Sequence, residues 1–221
     1  MPTPEDSPKR SSLRALTQSI RRLCDAAVST DIAAERIDAV REEVDRACDQ
    51  LEAQSHDGPY SGLMRKPPNY QDPHDLLPLS PIIGDFNPVA PDIQLRFEEG
   101  RVVGSGTLGK KHIGPPHTAH GGVGALIADQ LIALAAVGAG VRGVTRDMQV
   151  RYRKPTPLYR ELELHGWCEE SDDAGALVRA EIRCDGVTTL EAKAQIRVAR
   201  HLTHPSRRTT VDEARGGKAT G

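Results

Sequence analysis

A chain of 221 residues is long enough to bury one domain of ordinary size and to carry an appendage. A net charge of -2 gives no global reason to expect nucleic acid or an anionic membrane as partner, and with aromatics at 3% the core must be aliphatic and alanine-rich. Cys24, Cys48, Cys168 and Cys184 show neither CxxC nor His-paired metal spacing, and the start has no apolar signal-like run. The expectation is therefore four reduced thiols in a cytoplasmic protein without a structural metal.

Residues 1–10, rich in proline and charge, are expected to be disordered. From Ser11 the period becomes helical: Leu13, Leu16, Ile20, Leu23, Cys24 and Ala27, then Ala33, Ile37, Val40, Val44, Ala47, Cys48 and Leu51. Two amphipathic helices should meet near Ser29 to Asp31, with Thr30 or Asp31 capping the second, as a hairpin against the main domain or a partner chain. The proline-rich run that follows, to Pro91, reads as an extended linker on the domain surface, long enough to cover a groove.

Beyond Pro91 the period is two. Ile93, Leu95 and Phe97 alternate with Asp92, Gln94 and Arg96, and Glu98 to Gly100 turn the chain into a second strand, Val102 to Leu108. An apolar helix is expected next, then four more strands, Gly143 to Lys154, Glu161 to Glu169, Ala176 to Cys184 and Thr188 to Ala199, read as a meander. In the last two strands Val178, Ala180, Ile182, Leu190, Ala192, Ala194, Ile196 and Val198 share one face, as in an antiparallel sheet with one dry side. A hairpin, an apolar helix and further strands place one buried helix inside a curled sheet, the α+β architecture of the hotdog fold.

The helix, His120 to Gly140, carries the chemistry. It is apolar on every side except at Asp129, whose helical neighbours Ala125, Leu126, Ile132, Ala133 and Ala136 offer no partner. An ionised carboxylate in such surroundings costs several kcal/mol unless something compensates it. A transmembrane span is disfavoured by Asp129 at the centre and by the interrupting glycines. Ahead of the helix, Pro115 and Pro116 stiffen the approach, while Gly121 and Gly122 open backbone N–H groups at the positive end of the dipole, where an oxygen gaining negative charge can be held. Eight residues separate Gly121 from Asp129, about 12 Å of axis. If both serve one reaction, two copies of the chain supply them, which implies a dimer with paired sites.

These residues resemble the hotdog acyl-CoA thioesterases of the PaaI-like group, in a branch with a GPP-x-x-x-HGG approach. The matching positions are Gly114, Pro115, Pro116, His120, Gly121, Gly122 and Asp129, then Thr145, and the strand end Tyr152 to Leu158, similar to a Y-x-R-P-x-P-L pattern. The resemblance covers roughly Phe86 to Arg200. It implies Asp129 as general base or nucleophile, Gly121 as donor to the thioester oxygen, His120 as a helix-entrance residue with capping or chemical role, and Thr145 as a second polar group beside the carboxylate. Strand parity opposes Thr145, grouping it with Asp147 and Gln149 rather than with Met148 and Val150. The asparagine or glutamine that many relatives place before HGG is absent here. The loop offers Gly114, His117 and Thr118 instead, which leaves His117 as the substitute.

Six basic residues, Arg142, Arg146, Arg151, Arg153, Lys154 and Arg160, stand against Asp147 between 142 and 160. Such a cluster suits the phosphates of coenzyme A, with Gly122, His117, Arg151, Arg153 and Lys154 as substrate-binding candidates. The reading is a helical extension at 1–55, a proline-rich linker at 56–85, a hotdog thioesterase domain at 86–200 and a disordered tail at 201–221. The chain would work as a homodimer or tetramer on acyl-CoA, with no cofactor beyond the coenzyme A of the substrate, no metal, no nucleic acid and no membrane span. The rivals are a hydratase acting on an enoyl or hydroxyacyl thioester, and a non-catalytic acyl-CoA-binding module.

Overall fold

Six strands form where the alternation predicts them, and in the computed structural model residues 8–55 and 71–198 are described. The expected tail, residues 1–7 and the linker from 56 to 70 lie outside the described residues. β1 (Asp92–Glu98) and β2 (Arg101–Thr107) form the expected hairpin. β3 (Gly143–Tyr152), β4 (Glu161–Ser171), β5 (Gly175–Cys184) and β6 (Val187–Val198) follow the long helix α4 (Gly121–Gly138). All pairings are antiparallel, and the strand order is β1-β2-β4-β5-β6-β3.

This order corrects the expected four-strand meander. Only β4, β5 and β6 follow one another; β3 sits at the far edge beside β6, and β4 returns to pair with β2. Alternation shows that a strand exists but not which strand lies beside it. Here the length of α4 carries the chain from β2 to the opposite edge, and residues 153–160 bring it back.

The sheet curls around α4 as a hotdog fold. Gly166 on β4 shows how closely the two layers approach: a Cβ there would stand 2.8 Å from the Leu131 carbonyl oxygen, so only glycine lets the helix backbone settle on the strand. Ile127, Leu131, Ile132 and Leu134 of α4 pack with Leu162, Leu164, Val178, Ile182 and Leu190 into one core. At about 25 cal/mol per Å² of apolar surface, burying each such side chain stabilises the fold by roughly 1.5–3 kcal/mol.

The stretch ahead of β1 departs from a surface linker. Ile82 and Ile83 are only 2% exposed, and Phe86 and Ala90 are buried with them. We call residues 73–91 the strap. It begins with one turn of helix, α3 (Pro73–Leu76), capped by the Asp72 side chain on the His74 N–H. His74 then ties the strap to the sheet, since its Nδ1 lies 2.9 Å from the Ile83 carbonyl oxygen and its Nε2 accepts the Leu95 N–H. The adjacent Asp85 raises the His74 pKa. Protonating Nε2 would cost the Leu95 bond, which opposes that rise. Ser80 donates to Gln130 Oε1 at 2.6 Å, fixing the strap to α4. Proline content marked this segment as irregular; it did not reveal that four apolar side chains point inward.

The N-terminal helices are α1 (Pro8–Ala27) and α2 (Ala34–Glu52). Residues 8–10, expected to be disordered, open α1. The N-cap of α2 is Ala33 with no side-chain hydrogen bond, not Thr30 or Asp31, which stand too far outside the first turn. α1 is fastened to the body by Arg14 on Asp85 (2.8 Å), Arg10 on Asp75 (3.5 Å) and Lys111 on Asp25 (3.2 Å). α2 has no buried residue, and an isolated helix of its length is marginal in water.

Candidate active site

His120 is the N-cap of α4, and its Nδ1 accepts the Gly122 N–H at 3.0 Å. Two expected site residues thus serve the cap: Gly122 spends its donor on His120, and the imidazole, exposed otherwise, holds the helix entrance. The Gly121 N–H has no acceptor among the described residues. It stands at the dipole end of the helix as the open donor.

Tyr152 completes this end. Its hydroxyl donates to the Gly121 carbonyl oxygen at 3.1 Å. Its ring lies where a side chain at 121 would go, with a Cβ there coming within 3.2 Å of the ring. A side chain at 121 would press on the ring, which would have to give by a few tenths of an ångström. Tyr152 was visible in the strand-end motif, but nothing in the sequence gave it a partner.

Two turns further along, Asp129 is not the unpartnered carboxylate that helical spacing suggests. Thr145 Oγ1 donates to Asp129 Oδ1 at 2.9 Å. Thr145 reaches it because β3 carries a bulge between Thr145 and Asp147. Before the bulge Thr145 pairs with Ile196; after it Met148 pairs with Ala194, Val150 with Ala192 and Tyr152 with Leu190. All four partners are on the buried face of β6. The extra residue reverses the parity, so Thr145 faces inward with Met148 and Val150, against the sequence expectation.

Nor is α4 buried all round. Eight of its 18 residues are buried. Gly122, Leu126, Asp129, Gln130, Ala133 and Val137 form a stripe that the other described residues leave partly open, with Leu126 45% exposed. Although α4 is apolar and long enough to cross a membrane, it packs on five strands of its own sheet. Asp129 thus lies on the partly open stripe, with one oxygen held and Oδ2 without a hydrogen-bond partner among the described residues.

The remaining candidates are dispersed. His117 is exposed in the left-handed region (φ 64), and among the described residues only its carbonyl is engaged, by the Leu158 N–H. Arg153 pairs with Glu191 at 2.8 Å and Arg160 with Asp185 at 2.6 Å. Arg151 and Lys154 are exposed, with no ion pair among the described residues. The structure therefore joins Asp129 to Thr145 and Gly121 to Tyr152, and leaves His117 and the cations at the periphery.

Residues 117–191 match the family model described as thioesterase superfamily. No curated protein matches the chain. Among solved structures, a crystal structure described as a thioesterase superfamily protein is 26% identical, with a TM-score of 0.72, covering 83% of this chain and 94% of that one. That overlap is wider than β1 to β6, so it includes part of the chain ahead of the sheet. A hypothetical thioesterase from Streptococcus pneumoniae, solved with coenzyme A, is 22% identical over 49% of this chain and 86% of its own, with a TM-score of 0.47. A Streptococcus mutans protein bound to acetyl CoA is 23% identical over 49% and 88%, with a TM-score of 0.46.

Proposed function

From a hotdog fold whose residues 117–191 match the thioesterase superfamily model, we propose that the chain hydrolyses acyl-CoA to the free acid and coenzyme A, as a cytoplasmic homodimer that needs no metal or further cofactor. The observation that carries this reading is the Asp129 carboxylate, on the open stripe of an otherwise apolar helix, with one oxygen held by Thr145. A carboxylate oriented through one oxygen and unengaged at the other has what a general base or nucleophile requires.

In the reaction, Asp129 Oδ2 takes a proton from water as the water oxygen bonds to the thioester carbon. The carbonyl oxygen becomes an oxyanion facing a Gly121 N–H. Collapse breaks the carbon–sulfur bond, and the proton passes from Asp129 to the departing thiolate. Because about 12 Å of axis separates Gly121 from Asp129 on one helix, each site would take Asp129 from one copy and Gly121 from the other. The open stripe of α4 is the face that such pairing would cover. Leu126 and Ala133 line the path for the acyl chain, and Arg151, Arg153 and Lys154 suit the phosphates of coenzyme A. His117 would contribute to substrate binding at the loop. In the attack by Asp129 itself, the same residues hold the same places and water acts in a second step.

Thiol release from acyl-CoAs of rising chain length, compared for the wild type and Asp129→Asn, tests the assignment. Turnover lost with folding and self-association retained is expected. Undiminished release by Asp129→Asn would overturn it, tight acyl-CoA binding without release would favour a binding module, and a change in enoyl absorbance would favour a hydratase.

A further inference from the structure

The head of α4 presents four N–H groups that the helix ladder does not bond. His120 donates to the His112 carbonyl oxygen at 2.9 Å, Gly122 to His120 Nδ1 at 3.0 Å, and Val123 to the His120 carbonyl oxygen at 2.9 Å. Among the described residues this leaves only Gly121 without an acceptor. The direction of its N–H is set at the Gly121 Cα, the pivot between two peptide planes, and glycine turns there more freely than any other residue. The plane before the pivot is held through the His120 carbonyl. The plane after it, joining 121 to 122, is held at both ends: the Tyr152 hydroxyl donates to its carbonyl oxygen at 3.1 Å, and its N–H is the one given to His120 Nδ1.

Tyr152 is itself fixed by the sheet. It ends β3, paired with Leu190 of β6, and the next two N–H groups, of Arg153 and Lys154, both donate to the Thr189 carbonyl oxygen, at 2.8 and 3.1 Å. Leu190 lies against the same helix turn, with its Cδ1 2.9 Å from where a Cβ at Gly124 would stand. The Thr156 carbonyl oxygen accepts the Ala119 N–H at 2.8 Å, so the strand end holds both the loop ahead of the helix and the helix head. Yet Tyr152 is 59% exposed and contributes little to the core. Its hydroxyl is spent on the peptide beside the open donor.

We infer that Tyr152 is a positioning residue of the oxyanion site: its hydroxyl locks the 121–122 peptide and so aims the Gly121 N–H at the thioester oxygen. The inference rests on the thioesterase reading. A donor aimed in advance needs no reorganisation as charge develops on the oxygen. Its benefit is therefore larger in the transition state than in the ground state, and its loss falls on kcat.

Tyr152→Phe keeps the ring and removes only the hydroxyl. It should lower kcat about tenfold, the usual scale for one lost hydrogen bond, with KM and the urea midpoint unchanged. With glycine-selective ¹⁵N labelling, the order parameters of Gly121 and Gly122 should fall from about 0.85 to below 0.6, while that of Gly166 on β4 holds. An active wild type whose Tyr152→Phe variant keeps full kcat would overturn the inference. So would a loss of kcat with both glycines as rigid as before, or one matched by a raised KM and a lowered midpoint, as general loosening would give. A wild type that releases no thiol from any acyl-CoA would instead remove the thioesterase reading, and this role with it.

Discussion

α4 and α2 are nearly equal in length, 18 and 19 residues, and opposite in character. α4 is apolar but for Asp129 and Gln130, and the described residues leave the stripe that carries them partly open. α2 is amphipathic, yet among the described residues none of it is buried. In both helices apolar periodicity correctly marks surface that water should not see, but it is silent about whether the cover comes from the same chain or from another copy. The half-covered helix carries the candidate chemistry.

The largest expected effect tests the open stripe of α4. Asp129→Asn should lower thiol release by at least about 10²-fold, the usual contribution of a positioned general base, with no change in the circular dichroism spectrum. Next comes the contrast between packed and bare regions. Ile83→Ala, in the strap, should destabilise by about 2–5 kcal/mol in urea unfolding. Ile37→Ala on α2, measured below the concentration at which chains associate, should shift stability by less than about 0.5 kcal/mol. Equal losses would mean that α2 is packed within its own chain.

The attachment of α1 to the strap gives a pH dependence. His74 and Arg14 hold the Asp85 pKa down to about 2 from 3.8. A folded-state pKa below the unfolded one stabilises at pH values above the unfolded value, and the gain is lost as pH falls from about 4 to about 2. The loss should be on the order of 1–2 kcal/mol and should be absent in Asp85→Asn, as followed by unfolding midpoints across that window. Thr145→Val removes the bond to Asp129 while keeping shape. It should lower kcat about tenfold, with KM little changed, since a hydrogen bond to a charged group contributes roughly 1.5–3 kcal/mol; Thr145→Ser should recover most of the loss. The smallest effect is Arg41→Ala on α2, whose exposed pairing with Asp45 should contribute no more than about 0.5 kcal/mol.

The sequence by itself determined the elements and the head of the site. Alternation placed six strands, the glycines and His120 marked where α4 begins, and Asp129 stood out because no other ionisable group interrupts the apolar run. These are local properties, set by side-chain period and backbone freedom within a few residues. The tertiary structure alone decided the rest. A one-residue bulge turned Thr145 toward Asp129, which no period-two reading can anticipate because the extra residue resets the parity. The strap became core because Ile82 and Ile83 face inward without any repeat to announce them. β3 went to the far edge, and Tyr152 reached Gly121, because pairing partners and long-range contacts depend on how the chain crosses the sheet, a property that no short stretch of sequence contains.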